Sequence, residues 1–384
     1  RVRVIHRPSR KGWKGGALDE GLKHLDPRSE FVLVFDADFI PPRDVIQRLL
    51  ARFVDEKVAA IQGYHLAKLN SDENWVTRAS RTHMSVGFAV DYAGRFAMSG
   101  APLLCGSVMM IRRKVLEELG GFGSSITEDY DLSLRLYARG YTVFYDGSVR
   151  ALCECPSTLG QLVRQTCRWM EGRIRNLRRR LSLVLRSKEL PLRRKLDLLL
   201  DGLNGFSPIM FFVWLVATLL FVGLKTSFDM TTFVFALKLI LGPLIIPAFL
   251  PISVRPVQVP VLGLNSPVLA IAYTLYVVMC FPLAQFMALK REGEDRTLKW
   301  IASLMIAMWL ACPFYVKACL KGLFTNRSYF FRTYKTGKIT ALLEEFQGVG
   351  PLKELVLEPY VKGGFPIGFS PGNMMNFLTW NWMF

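Results

Sequence analysis

Residues 31–38 read Phe31-Val-Leu-Val-Phe-Asp36-Ala-Asp38, an unbroken apolar run that ends in two carboxylates. The run has the length and composition of a buried strand. Because strand side chains alternate, Asp36 and Asp38 point to the same side. Ligands of open α/β sheets bind at the carboxyl edge of the strands. The pair therefore predicts a site for Mg²⁺ or Mn²⁺ or, as the alternative, a solvated loop after a strand.

Short apolar runs alternate with helix-like segments on both sides of this strand, which predicts an α/β domain with a mostly parallel sheet over residues 1–158. The chain opens on Arg1 within a strand-like run, so we expect the sequence to begin inside this domain, with its N-terminal strand or strands missing. The predicted strands are 2–5, 31–35, 58–62 and 141–145, and the predicted helices are 16–25, 44–53, 74–89, 114–119 and 128–139.

The composition changes near residue 205, where charged residues become rare over several stretches. Stretches of about 20 apolar residues are long enough to cross a bilayer as helices. The predicted spans are 206–224, 231–252, 264–289 and 298–320, within a membrane region of residues 205–322. Residues 323–340 follow as a basic loop, and the tail at 341–384 shows no interpretable pattern.

The net charge of +18 is concentrated just before the first predicted span. Between Arg164 and Lys195, twelve basic residues face only Glu171 and Glu189. Basic residues in this position favour the cytoplasmic side and anionic lipid head groups, so membrane lipids are the predicted partners and nucleic acid is not. Residues 159–204 are predicted to form amphipathic helices at the interface, at 164–185 and 192–203. Seven scattered cysteines indicate a reducing compartment rather than a disulfide framework.

Thr127-Glu128-Asp129 opens a predicted helix after a glycine-rich loop. A Thr cap and acidic first-turn residues explain this triplet structurally. The alternative is that a carboxylate here acts as a general base.

Gln165-Thr-Cys-Arg168-Trp169 places an amide, a guanidinium and an indole on one helix face. Arg168 can clamp a phosphate, and Trp169 can stack on a sugar ring. An interfacial helix with a Trp anchor accounts for the same residues.

Taken together and in this order, the three patterns resemble the D-x-D, T-E-D and Q-x-x-R-W signatures of processive family-2 glycosyltransferases, which include cellulose, chitin, hyaluronan and mannan synthases. The resemblance covers residues 1–340. Two shorter matches support it. Lys11-Gly-Trp-Lys14-Gly-Gly resembles the donor-site segment of the family, and Leu104-Cys105-Gly106-Ser107 resembles its acceptor-site turn.

The resemblance implies a GT-A fold and an inverting hexosyltransferase that moves sugar from a nucleotide-sugar to a growing β-linked polysaccharide and passes the polymer through the membrane. Asp129 would be the catalytic base. The donor and its diphosphate would be bound by Lys14, Asp36, Asp38 and Arg168, with the metal on the aspartate pair. The acceptor residues would be Cys105, Gly106, Glu128, Gln165 and Trp169. We expect a UDP-sugar rather than a GDP-sugar as the donor.

Residues 329–338 resemble the gating loop of the family, with Thr333 and Lys335 in its Thr-x-Lys pattern. A basic loop kept in the cytoplasm explains them equally. With four spans, the catalytic domain and this loop lie on the cytoplasmic side of the plasma membrane, and residues 290–299 lie outside.

Two other functions fit parts of the sequence. A non-processive transferase would add one sugar to a lipid acceptor such as a polyprenyl phosphate. A transporter with a nucleotide-sensing domain would use an ionisable residue within a span, for which Lys238 is the candidate.

Overall fold

The computed structural model describes residues 3–204, 208–209, 212, 281–295, 297–326, 329–330 and 333. Most of the predicted membrane region, including Lys238, nearly all of the first span and the whole second span, lies outside these residues, as do Lys335 and the tail at 341–384. Within the described residues the N-terminal part of the chain forms an α/β domain built on a four-stranded sheet.

The sheet is mixed, so the expectation of a mostly parallel sheet is wrong. Its strands are β1 (Phe31–Val34), β2 (Val58–Leu66), β3 (Met109–Arg112) and β4 (Thr142–Leu152), in the spatial order β1-β3-β2-β4. β3 runs antiparallel to both neighbours, whereas β2 and β4 are parallel. The reason lies just beyond the end of β1. The backbone N–H of Asp36, two residues after β1, bonds to Ser107 in the turn that leads into β3, so the end of β1 meets the start of β3 and the two strands run in opposite directions.

Helices cover both faces of the sheet, and successive residues of β3 show the two cores. Met109 is buried against Tyr64 and Leu132 on one side. Met110 is buried against Leu49 on the other. The helices of the domain are α1 (Trp13–Leu22), α2 (Val45–Leu50), α3 (Trp75–Val86), α4 (Ala93–Met98), α5 (Arg113–Glu118) and α6 (Glu128–Ala138), with a π-helical turn at Gly87–Tyr92.

The predicted strand at 2–5 does not form in its described residues, 3–5. Val4 is 89% exposed, and the segment has no neighbouring strand among the described residues. A strand of this length needs a hydrogen-bonded partner, so apolar composition alone was insufficient.

Two helices follow the sheet, as the sequence predicts. α7 (Leu159–Arg186) begins five residues earlier than expected, because Thr158 and Gln161 form a capping box. α8 (Leu192–Asn204) turns Asp197 and Asp201 inward to Arg95. Its leucines at 192, 196, 200 and 203 remain exposed.

A helical hairpin packs against this domain. Its first arm is α9 (residues 281–291), and its second is α10 (Thr297–Phe324). Glu292, in the turn, pairs with Arg81 of α3 at 2.5 Å and accepts a hydrogen bond from Ser85 at 2.7 Å. The Tyr64 hydroxyl donates to its other oxygen. These four residues form what we call the docking cluster.

α10 is the one helix among the described residues that is long and apolar enough to span a membrane. Its start nevertheless contacts the α/β domain, and its end contacts α7. At its start, the carbonyl of Trp300 accepts from Thr82, and at its end, Arg178 donates to the carbonyl of Leu323 at 2.7 Å. The turn at 292–295 packs against the α/β domain through Glu292, whereas the sequence places residues 290–299 across the membrane from that domain.

Candidate functional site

Lys14 lies at the centre of the candidate site. Its ammonium donates to Asp36 Oδ1 and to the carbonyl of Gly106, both at 2.6 Å, and it lies 3.9 Å from Glu128. Burial lowers the pKa of Lys14, but the nearby carboxylates of Asp36, Glu128 and Asp129 outweigh burial and raise it. One cation thus joins Asp36, which follows β1, to the acidic pair at the start of α6.

The turn before β3 brings these groups together. Gly106 has φ +83°, and a Cβ on it would lie 3.0 Å from Asp129 Oδ2 and 3.2 Å from Lys14 Nζ. Ser107 Oγ accepts from the backbone N–H of Asp36 at 3.0 Å. Only glycine fits between the ammonium and the carboxylate in this left-handed conformation.

Glu128 and Asp129 begin α6 as an acidic pair in which Glu128 is buried and Asp129 is half-buried. Burial raises the pKa of Glu128 to about 8, with repulsion from Asp129 adding to it and Lys14 opposing it. Burial likewise raises the pKa of Asp129. Because the two carboxyls interact, their protons titrate as a pair. A carboxylate whose pKa is raised towards neutrality is a stronger proton acceptor, which suits it to general-base chemistry.

The loop before α6 is fixed by α1. Asp19 accepts from the N–H of Phe122 at 2.6 Å and of Gly123 at 3.1 Å. A Cβ at Gly15 would lie 2.0 Å from the carbonyl of Gly123, so α1 can approach only because residue 15 is a glycine. The Lys14-Gly15 pair thus serves both the ammonium contact and the packing of the loop.

Arg168 of α7 lies over the same site. Its Nη1 donates to the carbonyl of Ile126 at 3.2 Å, and its buried Nε has no partner among the described residues. Burial lowers the pKa of this guanidinium. A partly unsatisfied guanidinium favours binding of an anion such as a phosphate.

Phe330, which follows α10, covers this guanidinium. The Arg168 carbon Cζ lies 4.6 Å from the centroid of the Phe330 ring, and the ring of Trp13 stacks on Phe330 at 6.1 Å. The segment that carries the predicted loop residue Thr333 therefore reaches the site. Lys335 lies outside the described residues.

The remaining predicted residues lie around this centre with fewer contacts. Trp169 is half-buried, with its ring 6.3 Å from that of His83. Gln165 is half-buried on the same helix. Cys105 lies 3.3 Å from His65 Nε2, and burial raises the pKa of its thiol.

A divalent metal fits the aspartate pair only if a substrate supplies further ligands. No group of three or more His, Cys, Asp or Glu side chains within the described residues is arranged to hold a metal. The Asp36 side chain is 41% exposed, so a ligand can reach it from solvent. Mg²⁺ is commonly held by one or two carboxylates together with substrate phosphates, and the donor set present matches this pattern.

Sequence reasoning missed Gln62 and His65, two polar side chains in the otherwise apolar strand β2. Gln62 accepts from the N–H of Cys105 and donates to the carbonyl of Ser107, each at 2.9 Å. His65 Nε2 lies 2.8 Å from that same carbonyl. Both residues hold the turn that carries Gly106. The available signal was a Gln within a predicted strand that is otherwise apolar, because a polar side chain that becomes buried there needs hydrogen-bond partners.

Residues 31–312 match the model of glycosyl transferase family group 2. Glucomannan 4-beta-mannosyltransferase 1 of Oryza sativa subsp. japonica is 31% identical over 50% of this chain and 37% of its own length. Glucomannan 4-beta-mannosyltransferase 7 of Arabidopsis thaliana is 30% identical over 49% of this chain and 34% of its own.

Among solved structures, the mannosyltransferase PcManGT from Pyrobaculum calidifontis, in complex with GDP-Man and Mn²⁺, is 17% identical with a TM-score of 0.43, covering 85% of this chain and 70% of that one. The chain spans just over a third of the curated relatives that it matches. The family model covers most of the chain, and the chain therefore belongs to glycosyl transferase family group 2.

Proposed function

We propose that this chain is the catalytic part of an inverting hexosyltransferase that transfers mannose from GDP-mannose to a β-linked glycan. The observation that carries the proposal is the position of Lys14, which bonds to Asp36 at 2.6 Å and lies beside Glu128 and Asp129. The curated relatives are glucomannan mannosyltransferases, which favours a mannosyl donor over the UDP-sugar expected from the sequence.

In the proposed reaction, Asp129 removes the proton from an acceptor hydroxyl. The oxygen of that hydroxyl attacks the anomeric carbon of the donor from the face opposite the diphosphate. The bond between this carbon and the diphosphate oxygen breaks, and the nucleoside diphosphate leaves with the electron pair. One direct displacement inverts an α-linked donor, so the product is β-linked.

Other residues of the chain bind the donor and the acceptor and orient them for this step. Arg168 donates to the diphosphate as it gains charge, and Lys14 neutralises the carboxylates that would repel it. Cys105, Gly106, Glu128, Gln165 and Trp169 form the acceptor side, with Trp169 offering an aromatic face to a sugar ring. A divalent metal on Asp36 and Asp38, when bound, would supply positive charge to the leaving diphosphate.

We further propose that the complete enzyme is a membrane-bound synthase with its catalytic domain in the cytoplasm, at the plasma membrane, and that it moves its polymer across the bilayer. The exposed leucines of α8 and the apolar helix α10 support a membrane location. Thr333 and Lys335 would belong to a loop that closes over the nucleotide, and the contact of Phe330 with Arg168 supports this proposal.

The decisive experiment compares the wild type with Asp129→Asn as full chains in lipid nanodiscs. Each protein receives GDP-mannose or one of several UDP-sugars, and released nucleoside diphosphate and radiolabelled product are measured. We expect release with GDP-mannose, alkali-stable product of high molecular weight, and a loss of at least about 10²-fold in kcat for Asp129→Asn, as is typical for a positioned base.

The matched control is Asp146→Asn. Asp146 is a buried carboxylate of β4 that pairs with Arg52 at 2.6 Å, away from the site, so kcat should stay near wild type. Full activity in Asp129→Asn would refute the proposed mechanism. Label that extracts entirely into organic solvent would instead favour transfer to a lipid acceptor, and release only with a UDP-sugar would overturn the choice of donor.

A further inference from the structure

One face of α7 contacts residues 125–131, the segment that leads into and includes the acidic pair. Arg168, Gly172, Asn176 and Arg180 are spaced by four residues, so their side chains share a helix face. All four contact residues between 125 and 131. The face that begins with Arg168 of the Gln165–Trp169 motif thus continues for three more turns along the base-bearing helix α6.

Asn176 makes the most specific of these contacts. Its Nδ2 donates to both the carbonyl and Oγ1 of Thr127, each at 2.9 Å, and its Oδ1 accepts from Ser125 Oγ at 3.0 Å. The side chain is only 1% exposed. Both ends of the amide are bonded, so its orientation is fixed and no other side chain of this size reproduces the pattern.

Gly172 allows this contact by removing a side chain. A Cβ at this position would lie 2.4 Å from Thr127 Oγ1 and 2.5 Å from its Cγ2. The helix backbone therefore approaches the threonine more closely than any other residue would permit. The segment before α6 is held by a close packing contact as well as by hydrogen bonds.

Thr127 is not used as a helix cap. Within the described part of the chain, its side chain makes no capping bond to α6. Its oxygen instead accepts from Asn176 of a different helix. The structural interpretation of the Thr-Glu-Asp triplet as a cap is therefore wrong for the threonine, and the residue serves contact between helices.

We propose that Asn176 is a positioning residue for the general base, because it locks residues 125–127 onto α7 and so fixes Asp129 relative to Arg168 and Trp169. Asp129 comes two residues after Thr127, and the Arg168 guanidinium bonds to Ile126 in between. A shift of Thr127 would therefore move the base relative to the face that holds diphosphate and acceptor. This inference rests on the proposed function.

The first test is Asn176→Ala, measured with GDP-mannose in the full chain. Because misplacement of a catalytic group by about 1 Å can cost 10²-fold in rate, we expect kcat to fall by about 10- to 100-fold. The donor KM should change less than about threefold, since no atom of Asn176 faces the donor side. If Asn176 were merely structural, its loss would lower the fraction of active enzyme but leave kcat per active site unchanged. Active sites are therefore counted by nucleotide binding.

The second test is Asn176→Asp, which keeps the shape and adds a negative charge beside Thr127. The new carboxylate would face the Thr127 carbonyl and raise the pKa of the neighbouring acidic pair. We expect the acid limb of the kcat profile to move to higher pH in this variant. Asn176→Ala, which adds no charge, should lower the profile without moving it upwards.

Thr166→Val is the matched control on α7. Thr166 is also 1% exposed, and its hydroxyl bonds within the helix to the carbonyl of Leu162 at 3.1 Å, away from residues 125–131. Its kcat should stay near wild type. If Asn176→Ala does not fold, Ser125→Ala removes one of the three bonds and should lower kcat by a few-fold.

The outcomes separate the two proposals. Loss of activity in Asp129→Asn with unchanged kcat and pH profile in the folded Asn176 or Ser125 variants would overturn the positioning role alone. Full activity in Asp129→Asn would overturn the proposed function and this inference with it. An equal fall of kcat in Thr166→Val would also contradict the positioning role, because the effect would then follow from loosening α7 in general.

Discussion

Two buried ionic clusters in this chain are built in opposite ways. In the docking cluster, one cation meets one carboxylate: Arg81 pairs with Glu292 at 2.5 Å, and both Glu292 oxygens accept further bonds from Ser85 and Tyr64. At the candidate site, one ammonium faces several carboxylates, with Asp36 at 2.6 Å and Glu128 at 3.9 Å from Lys14.

The difference shows which of the two clusters can bind a ligand or transfer a proton. A carboxylate with all its oxygens bonded is neutralised and has no capacity for a ligand or a proton transfer. An acidic pair whose pKa is raised, with Glu128 as far as 3.9 Å from the only ammonium that it shares among the described ion pairs, can still take up a proton. Neither burial of charge nor an unsatisfied guanidinium separates the two clusters, because Arg81 is buried and its Nε and Nη2 also have no hydrogen-bond partner among the described residues. What separates them is the state of the carboxylates.

The largest effect should come from breaking the docking cluster. Glu292→Ala leaves the Arg81 guanidinium buried without its carboxylate, and such losses cost about 3 to 5 kcal/mol. We expect this decrease in the free energy of unfolding of the full chain in detergent, measured by chemical denaturation. Asp129→Asn, in contrast, should not lower stability, because it removes a carboxylate that burial disfavours.

The double variant Arg81→Met with Glu292→Met sharpens this comparison. Replacing a buried ion pair with apolar side chains of similar size is often neutral, so the double variant should recover most of the stability lost in Glu292→Ala. Equal stability of Glu292→Ala and wild type would show that the docking cluster does not hold the hairpin to the domain.

A smaller effect is expected at Arg168. Arg168→Lys keeps the charge but removes the forked donor geometry that suits a diphosphate. Hydrogen bonds to charged groups contribute about 1.5 to 3 kcal/mol, so inhibition by GDP should weaken by roughly 10- to 100-fold. Arg164→Lys, at an exposed position of the same helix, is the control and should leave the inhibition constant unchanged. Equal inhibition of both variants would remove Arg168 from the diphosphate site.

The smallest effect concerns pH. Glu128→Gln removes the neighbour that shares protons with Asp129, so the acid limb of kcat, normalised to its maximum, should move to lower pH. Stability should change in a matching way. Since the folded pKa of Glu128 is about 8 against an ordinary value of 4.5, its carboxyl favours folding at low pH, and this contribution is lost as pH rises between those values.

The stability gain of Glu128→Gln over wild type should therefore grow from pH 4.5 to pH 8 and then level off. Thermal denaturation at a series of pH values measures this difference. A constant difference across that range would contradict the raised pKa.

The sequence predicted elements that depend on local pattern. The strand just before Asp36, the helix starting at Glu128 and the long basic helix α7 follow from apolar runs, spacing and capping residues. The family resemblance is confirmed by the match over residues 31–312. The roles assigned to single residues stay predictions, although Lys14, Asp36, Asp129 and Arg168 do surround one centre.

The features that the sequence did not predict depend on contacts between distant segments. β3 is four residues long and has no clear period, and its direction is set by the turn at Gly106 rather than by its own composition. Asn176 shows its role only once α7 lies against Thr127. Glu292 was taken for a loop residue on the far side, because nothing local to it indicates the distant Arg81.

The two apolar surfaces of the interface region share one support. Gly202 of α8 packs against Leu177, and Gly322 of α10 packs against Glu171 and Ile174, all on α7. Both helices carry exposed apolar side chains, including Leu196 of α8 and Leu310 of α10. These side chains are thereby held in place by α7, the helix that also carries Arg168. Any lipid surface that binds those side chains would therefore lie at a distance from Arg168 that the packing of the three helices sets.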